Sequence, residues 1–508
     1  KLEKLGDNNF KEIRVAMLGE ELTMMSAKFL FVRALDGYTW KVGNNIYTFK
    51  VTEIYDEDIM NGELNTDNFD VLLVPGLVGA DESLVKGLFS FLPRVKRWKS
   101  YIVDFIKEGG GYTGSCGATN LITEFAKEPE SPIERMIHRS SLDVSAVKFW
   151  YESASMPLLG EFLGFPPSRV NAFNYEYSMY QPAVEVDDVE DFDICLLHVG
   201  SPMEISLNTS HPLFDDYQKD TCRVLWAAGP AFVTPKKSDR TLSIMARYPV
   251  EELSENVSTQ IHAWDYTGGI RGLMKGLFKS IKNGEGLMGA YYNAGDWKLT
   301  NEVININFSN KPCMTAEIYP NENKGRIFLN ALHPEYPVWW GGRIKEMEDT
   351  NDNCLSKGLY KWVDMTPIEE TVEDEETYNW WMVRREVAWV AKIPDDDLPP
   401  VHGPSQVCDF ETNPDSEIFT IMGNSETSEG TISLDLYYRY SENNSNWSEW
   451  TLFDTDFDES DGWNWEFSSP NGSGYYQFYS IRNVEHQDTI ETEKVPPGRD
   501  TQVCVDLN

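Results

Sequence analysis

The hydrophobic pattern of the first third of the chain predicts buried parallel strands joined by helices. Residues 13–19 and 69–75 are near-continuous apolar runs that end in glycine or proline, and such runs suit strands that are covered on both faces. Trp98, Ile102 and Phe105 recur at helical spacing, and the glycines that follow at 109–111 stop the helix. This pattern predicts an α/β fold, with a mostly parallel, doubly wound, flavodoxin-like sheet that carries insertions.

Two later segments add elements to this fold. Residues 314–319 and 326–332 are joined by a polar connection that contains proline and glycine, which predicts an antiparallel hairpin. Residues 378–389 show a strong helical pattern. We expect the tryptophans of this helix to pack on the core rather than to bind sugar.

The periodicity changes at residues 394–405, a segment rich in proline and aspartate that cannot continue a helix and reads as a linker. Beyond it, short strands of period two alternate with turns of Asn, Ser, Gly and Asp, which predicts an all-β sandwich of immunoglobulin or fibronectin type III kind over residues 406–508. We therefore expect a first domain over residues 1–393, with insertions near 133–190 and 250–289, and a second domain after the linker.

A small internal repeat bears on the second domain. A Pro-Pro pair precedes Gln406-Val407-Cys408, another precedes Gln502-Val503-Cys504, and the two cysteines are 96 residues apart (504 minus 408). This offset is about the length of one sandwich domain. Either the chain reaches the start of a repeat array, or Cys408 and Cys504 form a disulfide bond across the ends of the domain, and the sequence leaves both interpretations open.

Candidate chemistry is concentrated at Gly114-Ser115-Cys116-Gly117. These residues follow a short strand and precede a helical segment, as does the sharp turn that exposes a nucleophile in hydrolases. Backbone amides at such a turn point to the place where an oxyanion forms, and amides at a helix N-terminus stabilise a thiolate. The alternative interpretation is a buried structural cysteine beside a glycine-rich turn.

A candidate base follows the strand of residues 326–332, in the turn His333-Pro334-Glu335. Because His333 and Glu335 are two residues apart in a turn, they can face the same way, so that the carboxylate orients the imidazole and the imidazole activates a thiol. With the turn at Cys116, this spacing predicts a Cys-His-Glu triad.

At these motifs the chain resembles the class I glutamine amidotransferase-like fold, over residues 10–340 with an extension to about 393. The matching segments are 70–76, 109–118, 324–326 and 333–335. Segments 211–214, 224–230 and 246–248 are similar to one branch of that superfamily, the domain like the N-terminal part of biotin-protein ligase-like proteins. The C-terminal sandwich resembles the repeated modules of archaeal cell-surface proteins.

The resemblance implies a role for each residue of the site. Cys116 would be the nucleophile, His333 the base and Glu335 the group that orients the base. Gly76, Leu77 and Gly117 would supply the oxyanion hole. Leu77 and Ala118 replace glycines that the family usually carries, and the two halves of the triad are 217 residues apart (333 minus 116), so the resemblance does not carry over a substrate.

Composition limits the partners. The 508 residues include 82 acidic and 44 basic side chains, a formal net charge of −38, and such a charge repels nucleic acid and anionic membranes. No apolar run approaches the roughly 20 residues of a bilayer span, so we expect no nucleic-acid partner and no membrane span in this segment. The expected substrate is a peptide or small-molecule amide, and the expected assemblies are self-association or contact with other surface proteins.

Glycosylation acceptors favour an extracellular or cell-surface location. Six asparagines precede x-Ser or x-Thr and could carry glycans: Asn208, Asn256, Asn307, Asn443, Asn446 and Asn471. Outside the cell, six of the seven cysteines could pair and leave Cys116 as the odd reactive thiol.

No cofactor is required by these motifs, and calcium is the one ion that the sequence suggests. Asp454, Asp456 and Asp458 alternate oxygen ligands as calcium loops do. The glycine and glutamate positions of an EF-hand are not matched, so an ordinary solvated turn is the competing interpretation.

Two functions follow from these observations. The first is a secreted or cell-surface amidotransferase-like protein that acts as a cysteine hydrolase on an amide or ester. The alternative is a structural or binding component of a cell-surface layer or extracellular assembly, in which the amidotransferase-like fold is catalytically silent.

Overall fold

The structure is a computed structural model that describes most of the chain. The described residues are 2–4, 9–19, 28–42, 44–126, 128, 135, 139, 141–150, 179–180, 199–215, 217, 219–226, 229–249, 260–266, 269–283, 297–305, 309–319, 325–336, 341–346, 360–365, 379–401, 405–412, 418–425, 431–486, 489–492 and 500–506.

Strands dominate the described residues. The first nineteen are β1 (Leu2–Lys4), β2 (Asn9–Leu18), β3 (Thr39–Val42), β4 (Asn45–Ile54), β5 (Val71–Val74), β6 (Gly111–Ser115), β7 (Glu124–Phe125), β8 (Lys148–Trp150), β9 (Met179–Tyr180), β10 (Val199–Leu207), β11 (Thr221–Trp226), β12 (Ala231–Val233), β13 (Thr241–Arg247), β14 (Gln260–Tyr266), β15 (Trp297–Asn305), β16 (Pro312–Ile318), β17 (Arg326–Asn330), β18 (Gly341–Glu346) and β19 (Tyr360–Met365). The remaining eight are β20 (Ser405–Thr412), β21 (Phe419–Ser425), β22 (Thr431–Ser441), β23 (Thr451–Asp456), β24 (Asn464–Phe467), β25 (Gly474–His486), β26 (Thr489–Thr492) and β27 (Thr501–Val505).

The α-helices of the described residues are few and mostly short. They are α1 (Lys28–Leu35), α2 (Asp56–Met60), α3 (Gly76–Leu88), α4 (Pro93–Glu108), α5 (Ala118–Ile122), α6 (Gly269–Asn283) and α7 (Trp380–Val390). Helix α4 begins with Pro93, whose missing N–H costs nothing at that position, and ends at Gly109, which takes a left-handed φ of 119°.

One large mixed sheet contains thirteen of the strands. Its order is β18-β19-β9-β10-β13-β16-β17-β6-β5-β2-β4-β3, and β11 pairs with β10. Strands β17, β6, β5, β2 and β4 are parallel neighbours in the middle of this order. On one side of them the sheet continues through the antiparallel pairs β17–β16, β16–β13 and β13–β10.

The predicted doubly wound, mostly parallel α/β fold is therefore wrong. Among the described residues there are 27 strands and only seven helices, and much of the large sheet is antiparallel. The apolar runs at 13–19 and 69–75 indicate only that a strand is buried on both faces, and carry no information about strands added later. Residues 179–180, which fall in the predicted insertion 133–190, form β9 within the large sheet.

The hairpin and the late helix are confirmed. Strands β16 and β17 pair antiparallel, with Met314 opposite Asn330. Helix α7 is buried along its whole length, and its tryptophans at 380, 381 and 389 belong to the same hydrophobic core as the central strands. The guanidinium group of Arg385 is buried in this helix and donates hydrogen bonds to the carbonyls of Leu213, Pro212 and Pro399.

Strands β20–β27 form two antiparallel sheets. Strands β20, β21 and β24 make a three-stranded sheet, and β22, β23, β25, β26 and β27 belong to a six-stranded one. Apolar side chains from both sheets, among them Ile421, Phe467 and Phe478, form one core between them. The sixth strand is β1, which pairs antiparallel with β27 and places Leu2 opposite Val505.

Residues 394–401, the described part of the predicted linker, pack against the first core. Asp395–Asp397 forms a 3-10 helix, and the side chains of Leu398 and Val401 are buried in the core of the preceding residues. The Asp397 carboxylate accepts hydrogen bonds from Tyr47 and Asn45. The division into domains 1–393 and 406–508 stays a prediction, and most of the predicted insertions at 133–190 and 250–289 lie outside the described residues.

Candidate active site

Cys116 lies in the sharp turn between β6 and α5 and has a backbone φ of 47°. Residues with a side chain seldom adopt this left-handed conformation, so neighbouring groups must hold it. The Cys116 N–H donates to the carbonyl of Asn330 over 2.8 Å, and the Cys116 carbonyl accepts from the hydroxyl of Thr119 over 2.6 Å. The turn therefore has the backbone strain of a nucleophile elbow, with both peptide groups of Cys116 fixed.

Glycine is required at two positions around this turn. A Cβ atom at Gly114 would lie 2.2 Å from the carbonyl oxygen of Val74, and one at Gly79 would lie 2.4 Å from the Cα of Ala118. These close approaches bring the first turn of α3 directly against the turn that carries Cys116.

His333 is placed by the turn that follows β17. Its N–H donates to the carbonyl of Leu225 over 2.8 Å, which fixes the backbone against β11. Its Nδ1 lies 2.8 Å from Oε1 of Glu335. The ring of Tyr336 stands edge-on to the imidazole, with 5.3 Å between the ring centroids.

Glu335 is fully buried and is held on several sides. The hydroxyl of Ser115 donates to Oε1 over 2.8 Å, the same oxygen that His333 contacts. The indole N–H of Trp380 donates to the Glu335 backbone carbonyl over 3.1 Å. The Oε2 atom of Glu335 has no hydrogen-bond partner among the described residues.

The structure brings Cys116 and His333 together. A Cβ atom placed on Gly76 would lie 3.1 Å from the Cys116 Cβ and 3.1 Å from the His333 Cε1, so the two side chains are neighbours, and Cys116 is one of the groups that raise the pKa of His333. Because Nδ1 faces Glu335, Nε2 is the ring nitrogen that is left to interact with Cys116.

The electrostatics of the pair favour an imidazolium ion. Burial alone lowers the pKa of His333, but the negative charges of Glu335 and of the Cys116 thiolate, with hydrogen bonds to both, raise it to about 10. At neutral pH the arrangement therefore favours a protonated His333 beside Cys116.

The three residues predicted for an oxyanion hole surround the same turn. Gly76 is the first residue of α3 and Leu77 the second, and Gly117 caps the N-terminus of α5. The first amides of a helix have no partner within the helix, which leaves them able to bind an anion. The amide of Cys116 itself is not available, because it donates to Asn330.

Several residues of the site escaped the sequence analysis. Ser115 fixes Glu335, and Asn330 binds Cys116; both are buried. The sequence could have pointed to Asn330, since it is an uncharged polar residue inside the apolar run 326–332, where a buried amide needs hydrogen-bond partners. Nothing in the sequence could have pointed to Ser115, because a serine beside a glycine is typical of any turn.

The predicted glycosylation sites differ in exposure. Asn443, Asn446 and Asn471 are exposed in turns of the C-terminal sandwich. The amide of Asn208 donates to the Ile244 carbonyl over 3.1 Å, so it is engaged in the fold. Asn256 and Asn307 lie outside the described residues.

The last two predicted sites are the disulfide bond between Cys408 and Cys504 and the calcium site. Cys504 has a free, half-buried thiol in β27, and the side chain of Cys408 lies outside what the structure describes, so their pairing stays a prediction. The carboxylates of Asp456 and Asp458 accept hydrogen bonds from nearby backbone amides. Among the described residues, no group of three or more acidic, His or Cys side chains is arranged to hold a metal ion, so calcium at Asp454, Asp456 and Asp458 also stays a prediction.

Within the described part of the chain, no helix combines the length and the apolar character that crossing a membrane requires.

Comparisons with known proteins add little to this description. No family profile matches the chain, and no curated protein matches it. Among solved structures, a ThuA-like protein from Bacteroides uniformis is similar with a TM-score of 0.28 and 9% identity, over 65% of this chain and 84% of the other. ThuA-like proteins have a class I glutamine amidotransferase-like fold, which is compatible with the resemblance in the sequence, but a TM-score this low carries no argument about fold or function.

Proposed function

We propose that the chain is a cysteine hydrolase that acts on an amide or ester carbonyl. One observation carries the proposal: in a buried site, the His333 side chain lies beside Cys116 and has its Nδ1 2.8 Å from Oε1 of Glu335. An imidazole between a thiol and an orienting carboxylate is the arrangement that activates a cysteine nucleophile.

The reaction follows from this geometry. The Cys116 thiolate attacks the carbonyl carbon, a C–S bond forms, and the carbonyl electrons move to the oxygen. The amides of Gly76, Leu77 and Gly117 are the proposed donors to that oxyanion. The intermediate collapses to a thioester as His333 gives its proton to the leaving amine or alcohol.

Water completes the cycle. His333, now neutral, takes a proton from a water molecule that attacks the thioester carbonyl. The C–S bond breaks, the acid product leaves, and the thiolate and the imidazolium are restored. Glu335 remains ionised throughout and holds the imidazole in the orientation that both steps need.

The test is the reactivity of Cys116. We expect iodoacetamide at neutral pH to label Cys116 before any other thiol in the folded protein, as mapped by mass spectrometry. The variant H333N should slow this labelling strongly, whereas C504S, which removes a half-buried thiol with no part in the site, should leave it unchanged. A Cys116 that is inert while other thiols react would exclude the hydrolase and favour a catalytically silent surface component.

The finer assignments are part of the same proposal. The resemblance to the biotin-protein ligase-like branch supports an amidotransferase-like origin, and the resemblance of the sandwich to archaeal surface modules supports a secreted or cell-surface setting. The exposed sequons at Asn443, Asn446 and Asn471 favour that setting. Glycopeptide analysis of native material tests it, and reduced Cys408 and Cys504 with every sequon unmodified would contradict it.

A further inference from the structure

Four hydrogen bonds meet at Asn330, the last residue of β17, and the weakest of them joins its side-chain N–H to Sδ of Met382 over 3.9 Å. The backbone carbonyl of Asn330 accepts from the Cys116 N–H over 2.8 Å. Its side-chain oxygen accepts from the N–H of Leu332 over 2.9 Å, and its side-chain N–H donates to Oε1 of Glu386 over 2.8 Å. Through its backbone carbonyl and its side chain, this one buried residue therefore connects the nucleophile, the turn that leads to His333, and helix α7.

Glu386 is a buried acid with no part in the chemistry described above. It lies in the middle of α7 and is 4% exposed. Burial raises its pKa well above the usual range; the hydrogen bond from Asn330 opposes this, and the negative charge of Glu335 adds to it. The neighbouring guanidinium groups of Arg384 and Arg385 donate hydrogen bonds to the carbonyls of Ala34 and Leu213.

The orientation of the Asn330 amide depends on Glu386. With Glu386 as acceptor for its N–H, the amide oxygen is directed at Leu332, one residue before His333. Without this acceptor the amide can rotate, and a buried Leu332 N–H would then lose its partner. The backbone carbonyl of Asn330 would still hold the left-handed Cys116, but the turn that leads to His333 would lose the support that keeps the imidazole aligned with it.

We propose that Glu386 is a positioning residue, which acts through Asn330 to keep Cys116 and the His333 turn correctly placed relative to each other. The proposal rests on the proposed function, since it assigns Glu386 a role in that same site. It places the supporting residue on α7, more than 50 positions from His333 along the chain.

The experiment measures the alkylation rate of Cys116 by iodoacetamide from pH 5 to 9 in the full-length protein. We expect E386L to lower the rate about tenfold or more and to change its pH dependence, because small displacements of a reacting group have large effects on rate. E386Q keeps an acceptor oxygen for Asn330 and should stay within about threefold of the wild type. The control W381F loosens α7 where Trp381 packs on Phe214 and Tyr217, and should leave both the rate and its pH dependence unchanged.

A double-mutant cycle separates positioning from general loosening. N330A removes all hydrogen bonds of the Asn330 side chain, while its backbone carbonyl still accepts from Cys116. It should therefore slow labelling as E386L does, and E386L/N330A should be no slower than either. Additive effects, or an E386L protein that is folded and labels at the wild-type rate, would overturn the positioning role and leave the hydrolase standing. If E386L does not fold, N330A compared with W381F decides the question in the same way. A wild-type Cys116 that does not react would overturn both proposals.

Discussion

Replacing Glu335 by glutamine should lower the pKa of His333 by more than one unit. The pKa of about 10, against 6.5 for an unperturbed histidine, reflects interactions that favour the imidazolium by about 5 kcal/mol in sum. Glu335 is the strongest of the groups that raise it, through a 2.8 Å contact in a buried site. Removing its charge while keeping its shape should therefore cost the imidazolium about 2 kcal/mol.

The assay is a titration of the His333 ring followed by NMR in histidine-labelled protein, with H333N to assign the signal. S115A is the matched control, because it removes a hydrogen bond from the same carboxylate oxygen without changing the charge. We expect a clear downward shift in E335Q and a small one in S115A.

The same change should appear in stability. A histidine whose pKa is raised on folding contributes stability that is complete below about pH 6.5 and is lost as the pH rises toward 10. The free energy of unfolding of the wild type should therefore fall across this window, and that of E335Q should fall less. An unchanged titration midpoint for His333 in folded E335Q would refute the electrostatic coupling on which the proposed mechanism depends.

Further predictions concern the oxyanion site, the sandwich and the glycans. G76A should slow labelling of Cys116 about tenfold, because the added methyl group would lie 3.0–3.1 Å from the Ser115 carbonyl, Cys116 and His333 and would displace them. A wild-type labelling rate in G76A would contradict this placement. Burial raises the pKa of Asp500 to about 7, so this group should make the protein less stable as the pH rises from about 4 to 7. The variant D500N keeps an acceptor for the amides of Val407 and Ser480. By denaturant unfolding at pH 8 it should be about 2 kcal/mol more stable than the wild type, after allowance for the partial exposure of Asp500. Equal stability of the two proteins at pH 8 would contradict the raised pKa. In native material, site-mapped glycopeptides should come from the three exposed sequons in preference to Asn208, and a fully modified Asn208 would contradict the exposure argument.

The sequence was informative wherever a local pattern determines a local structure. The helix at α7 and the β16–β17 hairpin could be predicted because apolar spacing and turn residues are properties of neighbouring positions. The proximity of Cys116 to His333 was expected only because a turn motif and a strand-end motif were considered together.

Long-range pairing could not be predicted in the same way. Nothing in residues 2–4 indicates that they pair with β27, and nothing in 179–180 indicates a strand of the large sheet. The contact of Asn330 with Glu386 joins a strand to a helix more than 50 residues later, and no spacing rule reaches that far. The fold class was wrong for the same reason, since buried runs indicate cover on both faces and not the direction of the strands beside them.

The pairing of β1 with β27 also determines how the chain responds to tension. Leu2 lies opposite Val505, so a force that pulls these two ends apart acts on one end of the antiparallel ladder and opens its hydrogen bonds one after another. Such peeling needs less force than shearing, in which all bonds of the ladder resist together. Under load, β1 should therefore detach first and expose the edge of β27, while the core between the two sheets of the sandwich remains intact.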